Sequence, residues 1–254
     1  MIPLLIARNT FREATRDRVV AGVVVAGLVL LALTQVASPL ALGEGGRLTV
    51  DLGLSGISIL GLLVILLAGT SLVAKELERR TIYNLLSRPI TRPAYLVGKW
   101  AGLSAALWTV ALLLGLALWG LLGARGMGGY GPAVAQGVYL AGLELSVITA
   151  LAVMFSALST PVLSALYTLG FYVAGQWSYD LRLLAERLPK ELGGLLGVIA
   201  GLVPNLPLFN MRTLASGGHP TTWLHLVLAS GYAAVYVACA LCLASAAFES
   251  KDFK

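Results

Sequence analysis

Six stretches of this chain, residues 19–42, 52–74, 100–124, 138–158, 161–178 and 222–248, are apolar and almost free of charge. A helix needs about 20 predominantly apolar residues to cross the hydrocarbon core of a bilayer, and a membrane strand only about 9–11. In that solvent every backbone N–H and C=O must be satisfied internally, which helices achieve segment by segment. The runs therefore predict an all-α integral membrane protein with six transmembrane helices. Gly43-Glu44-Gly45-Gly46 and Gly126-Met127-Gly128-Gly129 supply turns between them. Composition agrees: 58% of residues are hydrophobic and 12% charged, against about 25% charged in an ordinary soluble domain. Too few polar groups exist to coat a globule, so residues 1–254 are expected to form one membrane domain. The first run, 24 residues long, exceeds the about 7–15 residues of a signal-peptide core and predicts an uncleaved span.

The net charge of +6 is not the footprint of a nucleic-acid-binding face, because the basic residues sit in short segments between apolar runs. Twelve of the 18 Lys and Arg residues fall on one predicted side: Arg8, Arg12, Arg16, Arg18, Lys75, Arg79, Arg80, Arg88, Arg92, Lys99, Lys251 and Lys254. The positive-inside rule places that side, with both termini, in the cytoplasm of a cell (inner) membrane.

Three segments outside the spans carry pattern. In residues 1–18, Leu4, Ala7, Phe11 and Ala14 recur at three- and four-residue steps opposite Arg8, Asn9, Arg12, Glu13, Arg16 and Asp17. This predicts an interfacial helix with its arginines near anionic headgroups. In the cytoplasmic loop 75–99, Thr81 can cap a short helix bearing Ile82, Leu85 and Leu86, which Pro89 ends, and Thr91 with Pro93 restarts a helix into the third span. A two-turn helix with an apolar face has no core of its own here and suits a partner's groove. In the outer loop 179–221, Leu181, Leu184, Ala185 and Leu188 share a helical face. The twelve apolar residues 192–203 that follow are too few to cross and suit a short re-entrant segment. Gly193, Gly197 and Gly201 would let another helix approach it.

These residues resemble a known family, the permease subunits of ABC-2 type transporters, particularly the NosY-like branch. The specific part is Glu76-Leu77-Glu78-Arg79-Arg80-Thr81 with Leu85-Leu86-Ser87-Arg88-Pro89-Ile90-Thr91-Arg92 and Gly98-Lys99. The N-terminal helix, the short outer helices and the tail Phe248-Glu249-Ser250-Lys251-Asp252-Phe253 extend the likeness over nearly the whole chain. Arg80 stands where the family often has glycine before the threonine. The resemblance implies that Glu76, Arg79, Arg80, Thr81, Leu85, Leu86 and Pro89 form a coupling helix docking on a separate ABC ATPase. It also implies two ATPase copies and a second permease copy, with a homodimer expected. Cargo and any periplasmic partner stay open.

No G-x-x-x-x-G-K-[ST] sequence exists, since Gly98-Lys99 precedes Trp100. ATP and Mg are thus expected on the partner, with no cofactor in this chain. No H-E-x-x-H is present; His219 and His225 sit near the outer end of the last span, and four methionines do not make a copper conduit. Cys239 and Cys242, inside an apolar run, read as buried small residues. Glu144 is the ionisable group well inside a span, which makes it a candidate for transport or gating. Gln35, Gln176 and Tyr167 are its candidate polar partners, and its place six residues into the fourth run also allows snorkelling. Two alternatives compete with the ABC reading. One is an ion-gradient-driven secondary transporter, for which the expected paired repeats are not found; the other is a structural anchor for a larger complex.

The charge division makes a direct prediction. Cysteines placed at Ser87 and Ser216 should be labelled from opposite sides of sealed vesicles. Labelling of both from one side would overturn the six-span topology.

Overall fold

The computed structural model describes residues 2–38, 44–70 and 92–249. Among them all regular structure is helical. The helices are α1 (Ile2–Arg16), α2 (Arg18–Ala37), α3 (Gly45–Val64), α4 (Arg92–Ala124), α5 (Gly131–Leu158), α6 (Pro161–Gln176), α7 (Ser178–Arg187), α8 (Lys190–Leu202), α9 (Arg212–Ser216) and α10 (Trp223–Glu249). A π-helical turn, Ile65–Gly69, continues α3, and 3-10 turns occur at Gly128–Tyr130 and Leu206–Phe209. Helices α2, α3 with its π turn, α4, α5 and α10 are long and apolar enough to cross a membrane.

The fifth expected crossing differs. Helix α6 has 16 residues, about 24 Å at 1.5 Å per residue, against a hydrocarbon core of about 30 Å. It runs antiparallel to α5: Ser164 Oγ donates to the Ala152 carbonyl at 3.4 Å near one end, and Gln176 reaches Glu144 at the other. Glu144 lies thirteen positions after the start of the 28-residue α5, so α6 stops level with the middle of its neighbour. The chain returns to that level after α7 and α8. Ser178 donates to the Asn205 side chain at 3.1 Å, and Pro204 and Leu206 pack on Gly175. From there the chain continues through α9, where Thr213 and Ser216 share a pocket with Glu44, Arg47, Leu48 and Asp51 at the start of α3. Helix α6 and the segment through α9 thus divide one crossing between them, and the α7–α8 hairpin is inserted at the join. Helices Leu192–Leu202 and Leu206–Ser216 meet at a bend of 43°. The expected glycine stripe of α8 is used only in part: Gly193 meets the Ala185 carbonyl of α7, whereas Gly197 and Gly201 face open space.

Helix α5 is the hub, with a nearly continuous buried run from Leu140 to Val153 against α3, α4, α6 and α10. Large side chains interlock with glycines there, as close helix approach requires when no hydrophobic effect operates between helices. The Trp108 ring covers Gly142, Leu145 covers Gly61 and Val138 covers Gly115. Ser146 accepts from two of the three tryptophans of α4: its carbonyl from Trp100 Nε1 and its hydroxyl from Trp108 Nε1, each at 3.0 Å. At the end of α3, Ser156 Oγ of α5 donates to the Thr70 carbonyl at 2.7 Å, just beyond the π turn. By contrast α10 turns much of its surface outward. Cys239 and Cys242 lie on that exposed side, not in the core as their apolar surroundings suggested.

Helix α1 forms as expected, and Asp17 separates it from α2 by capping the Val19 N–H at 2.9 Å. Its inward face packs on α4 and comprises Ile6, Ala7, Thr10, Phe11 and Ala14; Leu4, expected on that face, is 77% exposed. Helix α4 has 33 residues, about 50 Å, so it outreaches the bilayer, and α1 lies across its beginning. Gly98 sits beneath Ile6 and Gly102 beneath the backbone of Ala7 and Phe11.

A Cβ on Gly102 would stand 2.5 Å from the Ala7 carbonyl oxygen, a backbone atom that cannot turn away, whereas Gly120 has nothing within 4 Å. Gly102→Ala should therefore destabilise the protein by about 1–3 kcal/mol, and Gly120→Ala should be neutral. Thermal unfolding in detergent, followed by tryptophan fluorescence, checks the difference.

Candidate functional site

Glu144 and Lys99 are the buried charged side chains among the described residues, and Glu144 is 2% exposed. Helix α5 starts at Gly131, ahead of the apolar run, because Pro132 fits its first turn. Glu144 therefore lies about 20 Å along the helix, too deep to snorkel as its place in the run had allowed. Both carboxylate oxygens are instead satisfied within the protein. Ser58 of α3 donates its hydroxyl to Oε2 at 2.9 Å, and Gln176, the last residue of α6, donates Nε2–H to Oε1 at 2.7 Å.

A positive charge completes the cluster. Arg212 opens α9, and its Nη1 donates to Ser55 Oγ at 3.1 Å, one turn of α3 from Ser58. The guanidinium acts on Glu144 through space; among the described residues the direct ion pair is elsewhere, between Arg47 and Glu44. The Tyr172 hydroxyl, one turn before Gln176, faces Gln176 and Arg212. Residues from α3, α5, α6 and α9 thus converge where the divided crossing changes from one half to the other. A charged group at the centre of a bilayer costs about 2.5–3.5 kcal/mol on insertion scales. Interhelical hydrogen bonds there return about 0.6 kcal/mol on average and at most about 1.7. Two average bonds therefore offset about 1.2 kcal/mol, less than half of the cost, and the nearby guanidinium of Arg212 adds to them.

The same join is held by weaker contacts around it. Tyr232 of α10 accepts from the Asn205 N–H at 2.8 Å, Tyr236 donates to the Leu202 carbonyl at 3.0 Å, and His225 Nε2 lies 2.9 Å from the Leu208 carbonyl. A carbonyl only accepts, so the His225 ring is the donor. Its role here is to pin the 3-10 turn to α10.

A family model described as ABC-2 family transporter protein matches residues 4–253. The chain belongs to that family. None of the curated proteins searched matches it. Apart from the first two residues of α1, the match covers every described helix of the ABC-2 transporter, the divided crossing and the Glu144 cluster included.

Of the residues expected to act in this ABC-2 transporter, Glu76, Arg79, Arg80, Thr81, Leu85, Leu86 and Pro89 lie outside the described residues. The helix expected to restart near Thr91 and Pro93 begins at Arg92. Of the three candidate partners for Glu144, Gln176 is one. Gln35 bonds instead to the neighbouring Thr34 hydroxyl, and its carbonyl accepts from Arg125. Tyr167 stacks its ring on Phe155, 5.6 Å between centroids. Ser58 and Arg212 were not foreseen. Nothing in the sequence separates Ser58 from other span serines, but an arginine closely following the Pro204 and Pro207 breaks was a usable signal for Arg212.

The two carboxylate bonds predict an energetic coupling. In a double-mutant cycle of Glu144→Ala and Gln176→Ala, thermal or denaturant unfolding in detergent should give a coupling of about 0.6–1.7 kcal/mol. Strict additivity would show that the bond does not contribute to stability.

Proposed function

We propose that this chain is the permease subunit of an ABC-2 type exporter, energised by a separate ATPase that docks on its cytoplasmic loop. The single observation that carries the reading is the family match across residues 4–253. The charge asymmetry supports a cytoplasmic position for the end that holds α1 and the start of α4. The overhang of α4 supports a lever there: it leads from residue 92, next to the docking loop, straight into the core beside α5. The working unit is a pair of permeases, with a homodimer as the simplest form, and two ATPases that bind ATP and Mg. The motif likeness favours the NosY-like branch. Around Glu144, movement of α4 and α5 against α3 would strain the bonds that tie the two halves of the divided crossing to the bundle. Glu144 is in this reading a gating residue.

Changing both Leu85 and Leu86 to Asp tests the docking. Each buried leucine contributes about 1.5–3 kcal/mol, so the loss should exceed the about 1.4 kcal/mol that corresponds to tenfold in affinity. Copurification of the ATPase with tagged permease should collapse, while Arg79→Ala with Arg80→Ala should weaken it less. Glu144→Gln in the same liposomes should retain the ATPase but slow transport and coupled hydrolysis. Full ATPase recovery and activity with the double-Asp protein would remove the docking assignment. Wild-type rates for Glu144→Gln would leave that residue a structural role only.

A further inference from the structure

A row of polar residues runs from the outer end of α3 down to Glu144. Glu44, Arg47, Asp51, Ser55 and Ser58 follow one another at three- and four-residue steps. Burial grades along the row: the first three are exposed, Ser55 is half-buried and Ser58 is buried. The exposed apolar side chains Leu52, Ile59 and Leu63 lie about a quarter-turn away round the helix. Helix α9 stands against the polar row. Thr213 and Ser216 enclose a cavity of about 350 Å³ with Glu44, Arg47, Leu48 and Asp51. Directly below it Arg212 donates to Ser55 at 3.1 Å, and one turn further in Ser58 donates to Glu144 at 2.9 Å. Asp51, at the floor of the cavity, is only about 10 Å along the helix from Ser58. It is exposed and makes no ion pair among the described residues. Ionisable groups set into a span face a bundle interior or a water-filled cavity, since hydrocarbon does not accept them.

We propose that the cleft between α3 and α9 is a water path by which protons from the outer solution reach Glu144. The proposal rests on the outer position that the six-span topology gives to the start of α3, and not on a gating role for Glu144. The inner end of the path selects a proton over a metal ion. Both carboxylate oxygens already accept from an O–H or N–H group, and the Arg212 guanidinium repels a further cation. A proton needs no open coordination position. A hydronium in the cleft gives its proton to Glu144 Oε2 and leaves as water, and the Ser58 hydroxyl, which can both donate and accept, turns to accept the new O–H. The ionisable groups that act on Glu144 are Arg212 from α9 and Tyr172 from α6, with none from α3, α4 or α10 among the described residues. Protonation removes the attraction between Glu144 and Arg212, and so loosens the tie between α5 and α9 in response to the outer solution.

The test uses full-length permease carrying Cys239→Ala and Cys242→Ala, in sealed right-side-out proteoliposomes, with a membrane-impermeant cationic methanethiosulfonate added outside. Asp51→Cys, Ser55→Cys and Thr213→Cys should each react at least about tenfold faster than Leu52→Cys and Ile59→Cys, because the reactive thiolate forms in water and not in hydrocarbon. Ser216→Cys reports which side the mouth faces. Infrared difference spectra between acid and neutral pH follow the proton itself: wild-type protein should gain a protonated-carboxyl band that Glu144→Gln lacks. Circular dichroism with unfolding temperature confirms that each variant is folded. Folded Ser55→Cys that reacts no faster than Leu52→Cys overturns the path, and identical spectra for wild type and Glu144→Gln overturn the proton as its ligand. Reaction of Ser216→Cys from the cytoplasmic side alone overturns the orientation, and the outward path with it. These readouts require no transport, so a wild-type transport rate for Glu144→Gln would remove the gating role without touching them.

Discussion

A carboxylate buried between apolar helices has to find its hydrogen-bond donors inside the protein, and much of this architecture is arranged around that requirement. Glu144 sits on the hub helix α5, and its two donors come from α3 and α6. The arginine whose field supports it belongs to α9, and that arginine is itself held by α3. These are the elements whose relative position defines the divided crossing. Remove the carboxylate, and the end of α6, the start of α9 and the middle of α3 lose the group they share. Apolar packing alone would not choose this arrangement so firmly, because a lipid tail is as good a neighbour for a leucine as another leucine is.

The glycines give the bundle its other source of specificity. Trp108 over Gly142 and Leu145 over Gly61 fix where α5 meets α4 and α3. The paired indole bonds to Ser146 fix its rotation. At the overhang of α4 the same device mounts α1, whose backbone rests on Gly102. A chain with little net hydrophobic drive between its helices relies on such shape matches and on a few polar bonds.

The spans were legible because each apolar run is read by the bilayer directly: length and charge decide the outcome, and neighbours matter little. The run at 222–248 became α10 with modest changes at its ends, and the run at 19–42 is α2 as far as Ala37, its last residues lying outside the described ones. The run at 161–178 was legible as a helix but not as half of a crossing, because its other half lies about 30 residues later in a stretch broken by Pro204 and Pro207. Glu144 itself was legible as an isolated charge, and Gln176 was one of its three candidate partners. Ser58 and Arg212 were not, since their role depends on how α3 and α9 are placed in three dimensions. Leu4 was assigned to the wrong face of α1 because the helical period cannot tell a face that meets protein from one that meets lipid.

The divided crossing also has a consequence for biogenesis. Ser58 has already been made when Glu144 leaves the ribosome, but Gln176 follows it by 32 residues and Arg212 by 68. While α5 enters the membrane, its carboxyl group therefore has at most one of its mature donors. Helix α6 cannot be completed by its second half until the hairpin of α7 and α8 has emerged and the chain has turned back. The order of synthesis thus makes assembly around Glu144 a late, post-insertion event, and the α7–α8 hairpin sets the delay.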